Sequence, residues 1–291
     1  MLRWLKSFLA AVLLVAAPAF ADGQGPALWK ISDADTRIYI FGSVHALKPG
    51  TVWLSDDLRG KISSATVIYL EISAAEQQPA VAAGLLLKYG FVQRGDSLKK
   101  HLPDKLYAEL TAALVKQGVP RLAYDRFKPW TADLVYAAGK FTQAGYNPAD
   151  GVEATIIGIA KDGHIPVEGL ETAEYQINWF NSLTDGQVTQ MLEGDLAERN
   201  DIPDSLGRLT TSWTNGDLVD LSAYFDEEMA ESPDLRKKML TDRNVSWVPK
   251  IRALMGKPGD YLVAVGAAHL IGPDSLIALL RQSGVTVERV N

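Results

Sequence analysis

The chain contains no cysteine in 291 residues. In an exported protein this excludes disulfides, thiolate metal sites, a cysteine nucleophile and lipidation of an N-terminal cysteine. Any metal must be held by nitrogen and oxygen ligands, and stability must come from packing. Positive charge is also scarce, with 29 Lys and Arg against 35 Asp and Glu and a formal net charge of −6. That balance argues against nucleic acid or an anionic membrane surface as a partner. Several familiar chemistries have no motif here: there is no G-x-S-x-G elbow, no H-E-x-x-H helix, no G-x-x-x-x-G-K-[ST] loop and no G-x-G-x-x-G fingerprint. Low-complexity tracts and repeats of 20 to 50 residues are missing too.

The first 21 residues stand apart. Arg3 and Lys6 form a basic start, Phe8 to Val15 is apolar, and Ala19-Phe20-Ala21 is a small-x-small cleavage site. This reads as a secretory signal peptide, too short and wrongly flanked for a spanning helix. No later apolar run is long enough to span, so no membrane insertion is expected after cleavage. Residues 22–291 are long enough for one substantial core and are expected to form a single domain. A disulfide-free exported chain suits a bacterial periplasm, reached by secretion across the inner membrane.

Strand patterns lie at both ends of the mature sequence. Leu28 to Ile31 and Arg37 to Phe41 read as a hairpin, and Thr66 to Ile72 as a strand covered on both faces. Tyr261 to Val265 and Val285 to Val290 are strands flanking a helix from Pro273 to Ser283. Ser55 to Ser63 reads as a short helix with Ser55 as its N-cap. Between about 79 and 255 the pattern is helical, with segments Pro79 to Tyr89, Pro103 to Gln117, Pro129 to Ala144, Gly151 to Lys161 and Thr172 to Leu183, and more beyond Gln187. A short strand, His164 to Val167, interrupts it. The expectation is an α/β fold, α+β being the variant, whose central sheet joins the N- and C-terminal strands and carries a large helical insertion.

Two of the four histidines share one local setting: an apolar β-favouring run, a glycine, two small or branched residues, then the histidine. These are Gly42-Ser43-Val44-His45 and Gly266-Ala267-Ala268-His269. A strand that ends at a glycine and releases an imidazole is a common way to present a ligand or base at a sheet edge. His101, beside Lys99 and Lys100, and His164, after Asp162-Gly163, read as surface residues.

Carboxylates supply the complement. Glu71 closes an otherwise apolar strand, where burial is costly unless the group is paired, protonated or bound to a cation. Glu153 shares a helix face with Ile156, Ile157 and Ala160, and it also lies in the first turn, where the helix dipole favours negative charge. Glu168 and Glu171 flank Gly169-Leu170, and either can point inward. Arg243 is suited to clamp a carboxylate or phosphate, or to form a structural salt bridge. Tyr124, Asp125 and Trp130 are further candidates for wall residues. Ser43 has no evident base geometry. His45, His269 and a carboxylate together form the ligand set of a two-histidine, one-carboxylate divalent metal site, with Zn²⁺, Mn²⁺, Fe²⁺ and Co²⁺ undecided by ligand type.

In this order and spacing the motifs resemble the TraB/GumN family, which includes PrgY and the Tiki proteins. The resemblance runs from Trp29 to Val290. It rests on the paired G-x-x-H motifs, Glu71, Gly151-Val152-Glu153, Gly169-Leu170-Glu171-Thr172, Arg243-Asn244-x-x-Trp247 and Gly266-Ala267-Ala268-His269-Leu270-x-Gly272. It implies an erythromycin-esterase-like and ChaN-like α/β core. From the Tiki branch it implies a metal-dependent peptidase whose centre is served by His45, Glu71 and His269. The GumN branch is associated with exopolysaccharide gene clusters, TraB and PrgY with pheromone inactivation, and ChaN-like relatives with haem.

The resulting expectation is an exported metal-dependent hydrolase, most simply peptidase-like, acting on a peptide or another extracytoplasmic substrate. His45 and His269 are its metal ligands, and Glu71 is ligand or general base. Glu153 and Arg243 orient ligands or substrate. The alternatives are a periplasmic protein binding haem or another small ligand without catalysis, and an accessory factor in envelope polysaccharide production.

Overall fold

The computed structural model describes residues 25–197, 202–230 and 233–291. The expected signal peptide, residues 1–21, lies outside the described residues. Six strands make one sheet: β1 (Leu28–Ser32), β2 (Thr36–Ser43), β3 (Val67–Leu70), β4 (Val167–Gly169), β5 (Gly259–Gly266) and β6 (Glu288–Arg289), in the spatial order β4-β3-β5-β2-β1-β6. β1 is antiparallel to both its neighbours, whereas β2, β5, β3 and β4 run parallel. The carboxyl ends of these four strands therefore share one edge, where sites in open α/β sheets form. The α/β reading of the sequence is correct. β5, from the far end of the chain, lies between β2 and β3.

Along β5 the side chains alternate between two cores. Leu262 and Ala264 join Phe41, Ile68, Leu70 and Ile156 on one face. Tyr261, Val263 and Val265 join Ile38, Ile40, Trp247 and Ile251 on the other. Burial on both faces explains the near-continuous apolar runs in the strands. Helices α1 (Asp56–Ser63) and α6 (Val152–Asp162) cover the first face, and α12 (Asp242–Leu254) and α13 (Leu276–Gln282) the second.

A third core lies within the helical insertion. It is built from Leu106, Leu110, Trp130, Tyr136, Val188, Leu192 and their neighbours. The contributing helices are α3 (Asp104–Lys116), α4 (Arg121–Tyr124), α5 (Pro129–Gln143) and α8 (Asp185–Ala197). Helices α2 (Pro79–Tyr89) and α7 (Ala173–Asn181) stand between this lobe and the sheet edge. Helices α9 (Ile202–Thr214) and α10 (Leu218–Glu228) return to the first-face core through Trp213 and Leu221, and α11 (Pro233–Arg236) precedes α12 in the chain. Trp213 of α9 is 2% exposed and donates its indole N–H to the Gly42 carbonyl at 2.8 Å, fastening the end of β2. Among the described residues no helix is long and apolar enough to cross a membrane.

Local chemistry fixes several element ends. Ser55 accepts from the Leu58 amide and starts α1, with Asp56 and Asp57 in its first turn. Ser275 accepts from the Ala278 amide, so the last helix starts three residues after the expected Pro273. The strand expected at His164 to Val167 instead occupies Val167–Gly169. His164 adopts a left-handed φ of 54°, and Pro166 lacks an amide hydrogen for a ladder. Tyr124 and Trp130 are buried in the lobe core, and Asp125 accepts from Tyr107 and Arg121 there. These three are not walls of the sheet-edge site: helical spacing shows that a face is buried but not which core it faces.

Candidate active site at the sheet edge

The β2–β5 register sets Gly42 beside Val265 and Ser43 beside Gly266. The two G-x-x-H motifs thus lie side by side, one residue out of phase. After Gly266 the chain enters a 3₁₀ turn, Ala267–Leu270, that buries His269 to 3% exposure. The segment after Ser43 leaves His45 exposed. Both imidazoles close on Gly266: a Cβ added there would lie 3.6 Å from His45 Nε2, 3.6 Å from His269 Cδ2 and 3.2 Å from Glu71 Oε1. A bare glycine keeps this cradle open.

Each imidazole is oriented through its other nitrogen. His45 Nδ1 lies 2.8 Å from Glu153 Oε1, which also accepts from the Ser43 hydroxyl at 2.5 Å. The Glu153 carboxylate raises the His45 pKa to about 9, and His45 in turn helps to keep Glu153 below the usual carboxylate range despite its burial. Ser43 bonds the carboxylate rather than the imidazole, so the cluster is not a serine-nucleophile triad. Gly151, the residue before α6, explains the close approach: a Cβ there would sit 2.2 Å from the His45 carbonyl oxygen.

His269 Nδ1 lies 2.7 Å from Asn244 Oδ1. The Asn244 amide nitrogen donates to the carbonyls of Asp274 and His269, at 3.0 and 3.4 Å, so its oxygen is the atom turned to the ring. His269 therefore carries its proton on Nδ1 and presents a lone pair at Nε2, to which Arg243 Nη1 donates at 3.1 Å. Burial, with Arg243 close by, lowers its pKa to about 3. His269 is neutral across the physiological range.

Glu71 follows β3, and the ladder continues past the strands: the Glu171 amide donates to the Glu71 carbonyl at 2.9 Å. Two buried glutamates are thereby set side by side, an arrangement that is repulsive without a cation. Arg243 supplies it. Its Nη2 donates to Glu71 Oε2 at 2.5 Å and to Glu171 Oε1 at 2.6 Å, and its Nε reaches Glu171 Oε1 at 3.0 Å. Gln176 on α7 bridges the same carboxylates, at 3.1 Å from Glu71 Oε2 and 2.9 Å from Glu171 Oε1. The other oxygen of Glu71 accepts from the Gly266 amide at 2.7 Å. Burial works to raise the Glu71 pKa, but the surrounding positive groups and this N–H outweigh it and hold it at about 2. Trp247 completes the wall, with its N–H on Glu171 at 3.1 Å and its ring 4.5 Å from that of His269.

All five candidate residues, His45, Glu71, Glu153, Arg243 and His269, therefore belong to one constellation. Of the two glutamates flanking Gly169-Leu170, Glu171 turns inward and Glu168 is exposed. Gln176 and the role of Asn244 go beyond what motif spacing shows. His101 bridges Asp96 and Asp185 at 2.8 Å on each side, remote from this site in contact terms.

The profile of the TraB/PrgY/gumN family matches residues 27–289, nearly all of the described chain and every residue of this constellation. The chain belongs to the TraB/PrgY/gumN family. Relatives within reach are distant. The uncharacterized protein YbaP of Escherichia coli K12 is 23% identical over 256 residues, covering 88% of this chain and 92% of its own. YbaP of Shigella flexneri is 24% identical over 243 residues, covering 84% and 87%. An uncharacterized protein of Treponema pallidum is 19% identical over 286 residues, covering 92% of this chain and 83% of its own. No solved structure matches. Family membership is what these likenesses show, with no activity attached to the relatives' names.

Proposed function

We propose that this family member is an exported, divalent-metal-dependent hydrolase acting on peptides or a related extracytoplasmic substrate. The observation that carries the reading is the pair of imidazoles over Gly266. Each has Nδ1 held by a carboxylate or amide oxygen, beside a carboxylate kept ionised; Nε2 of His45 faces the cradle, and Nε2 of His269 would exchange its hydrogen bond from Arg243 for the ion. Histidines that ligate metals are oriented in this way by a partner on the second nitrogen. Among the described residues no three His, Asp or Glu side chains are gathered as a ready-made metal cluster. The donor chemistry nevertheless fits: two imidazole nitrogens and one carboxylate oxygen suit Zn²⁺, Mn²⁺, Fe²⁺ or Co²⁺.

His45, His269 and Glu71 would hold the ion. Its contribution when bound is Lewis-acid polarisation of a substrate carbonyl. The remaining work belongs to side chains. Arg243 fixes Glu71 and keeps it anionic while balancing Glu171, Glu153 fixes the His45 ring and its Nδ1 proton, and Asn244 fixes the tautomer of His269. Glu71 Oε1 faces the cradle, and a carboxylate held at about 2 suits ligation of a cation better than taking a proton from water.

Elemental analysis of the purified protein tests the site, and a peptide-library cleavage assay with and without chelator tests the reaction. We expect bound metal that His45→Ala and His269→Ala each abolish, and cleavage that chelation abolishes. Unchanged metal content in both variants would sink the reading.

A further inference from the structure

Helix α8 is fastened to the rest of the helical lobe near both of its ends by a contact that needs a proton. At its first residue, the Asp185 carboxylate lies 2.8 Å from His101 Nδ1, while His101 Nε2 lies 2.8 Å from Asp96. A neutral imidazole has one N–H and one lone pair, so it can donate to only one of two carboxylates. Serving both takes the imidazolium, and the carboxylates, Asp185 foremost, raise the His101 pKa above its ordinary value. The other charges nearby are committed: Lys100 lies 3.8 Å from Asp96 and donates to the Gly95 carbonyl, Lys99 reaches Asp104 at 3.7 Å, and Asp125 accepts from Tyr107 and Arg121. With 28% of its side chain exposed, His101 exchanges its proton with solvent.

About three turns along α8, Asp195 meets Asp133 of α5. Asp133 is 4% exposed, and among the described residues its Oδ1 has no hydrogen-bond partner. Two carboxylates offer acceptors and no donor, so a bond between them forms only with a proton in it. Burial first, then the Asp195 charge, keeps that proton on Asp133 up to about 8. The neighbouring α3 turns Leu106, Leu110 and Leu114 into this core, while its Lys105, Glu109 and Lys116 are exposed, as is Glu193 of α8. Tyr136, one turn along α5, directs its hydroxyl to the Asp195 carbonyl at 3.5 Å, and Lys140 lies a further turn on.

Both contacts weaken in the same direction of pH. The His101 bridge holds in full below its ordinary pKa of 6.5 and is lost as pH rises through the raised value. The Asp133–Asp195 contact is strongest below the ordinary aspartate range and weakens as pH rises toward about 8. Between the two ends α8 is held by Val188, Leu192 and Leu196 in the lobe core. Residues 182–184 link it to α7, whose Gln176 bonds both glutamates at the sheet edge. We propose that α8 is a proton-held latch of the helical lobe, docked while His101 and the Asp133–Asp195 pair carry their protons and released locally as the medium turns alkaline. The latch is independent of the reaction assigned to the sheet edge.

Hydrogen–deuterium exchange of the full chain tests it, read by mass spectrometry on peptides from α8 and from β5 and corrected for the intrinsic pH dependence of amide exchange. One proton released on opening shifts the opening equilibrium by up to about tenfold per pH unit, so α8 protection is expected to fall about tenfold or more between pH roughly 6 and roughly 8. Local release also requires α8 to exchange about tenfold or more faster than β5 at the upper pH. Asp133→Asn and His101→Gln, which supply amides that do not titrate, are each expected to shrink the fall, and the double variant to abolish it. Asp195→Asn takes the place of Asp133→Asn if that variant fails to fold by circular dichroism. Equal protection of α8 and β5 at the upper pH makes the opening global and overturns the proposal. So does α8 protection that ignores pH, or a fall that the double variant retains.

Discussion

Among the described residues, two pairs of carboxyl groups withdrawn from solvent are treated in opposite ways. At the sheet edge, Glu71 and Glu171 share the guanidinium of Arg243, and Glu71 stays ionised down to a pKa of about 2. In the helical lobe, Asp133 on α5 faces Asp195 on α8, and among the described residues no ion pair with a cation is formed by either. Burial, then the Asp195 charge, pushes Asp133 up to about 8, and Asp195 is also raised. Among the described residues, Asp133 Oδ1 has no hydrogen-bond partner. A buried carboxyl pair can be neutralised by a fixed cation or by a shared proton. The first solution is a permanent charge arrangement suited to a reacting site, and the second depends on pH.

The comparison breaks most forcefully at Arg243. Replacing it with Met strands two carboxylates in a dry setting, and chemical denaturation should show a loss of about 3–5 kcal/mol. Adding Glu71→Gln and Glu171→Gln to Arg243→Met should recover much of that loss; if it does not, the guanidinium is packing rather than balancing charge. Gly151→Ala comes next. Its Cβ collides with the His45 carbonyl, a backbone atom, so we expect roughly 1–3 kcal/mol in stability and a larger loss in metal retention by elemental analysis.

The pH dependence sharpens the contrast because the signs differ. Asp133 keeps in the folded state a proton that the unfolded chain releases near pH 4, so stability falls as pH rises from about 4 to about 8. Asp133→Asn should flatten that fall in melting scans. Glu71, depressed in the folded state, contributes stability that is present above pH 4 and lost only toward pH 2. In chelator-treated protein, Glu71→Gln should therefore remove part of the acid-side transition while leaving the alkaline one. The smallest effect expected is at Ser43→Ala, where one hydrogen bond to Glu153 goes at a cost of about 1 kcal/mol by denaturant titration.

Much of this is legible in the sequence. The G-x-x-H motifs betray themselves because each follows a strand-like run, and terminal strands that share a sheet must bring them together. Glu71 is conspicuous as a charge closing an apolar strand. Glu171 is harder to place: its inward turn depends on the ladder between β3 and β4, and flanking Gly169-Leu170 leaves Glu168 equally eligible. Asn244 acts on His269 through the packing of α12 against a 3₁₀ turn, a long-range contact that spacing does not encode. Tyr124 and Trp130 show the converse failure, since their periodicity marks burial yet assigns it to no particular core. The Asp133–Asp195 pair leaves no sequence signal, because neither residue breaks the pattern expected of a helix.

The place of β5 between β2 and β3 bears on how the chain reaches this state. The strand that joins the two halves of the sheet is among the last to be synthesised, and the β2–β5 pairing closes a loop of more than 200 residues. Until Gly259–Gly266 is available, β2 and β3 have no common neighbour and the edges they turn to β5 remain unpaired. Such topology favours slow, late assembly after the whole polypeptide has emerged. The site is therefore among the last features to form, and a nascent or truncated chain that stops short of β5 carries His45 and Glu71 without the strand that unites them.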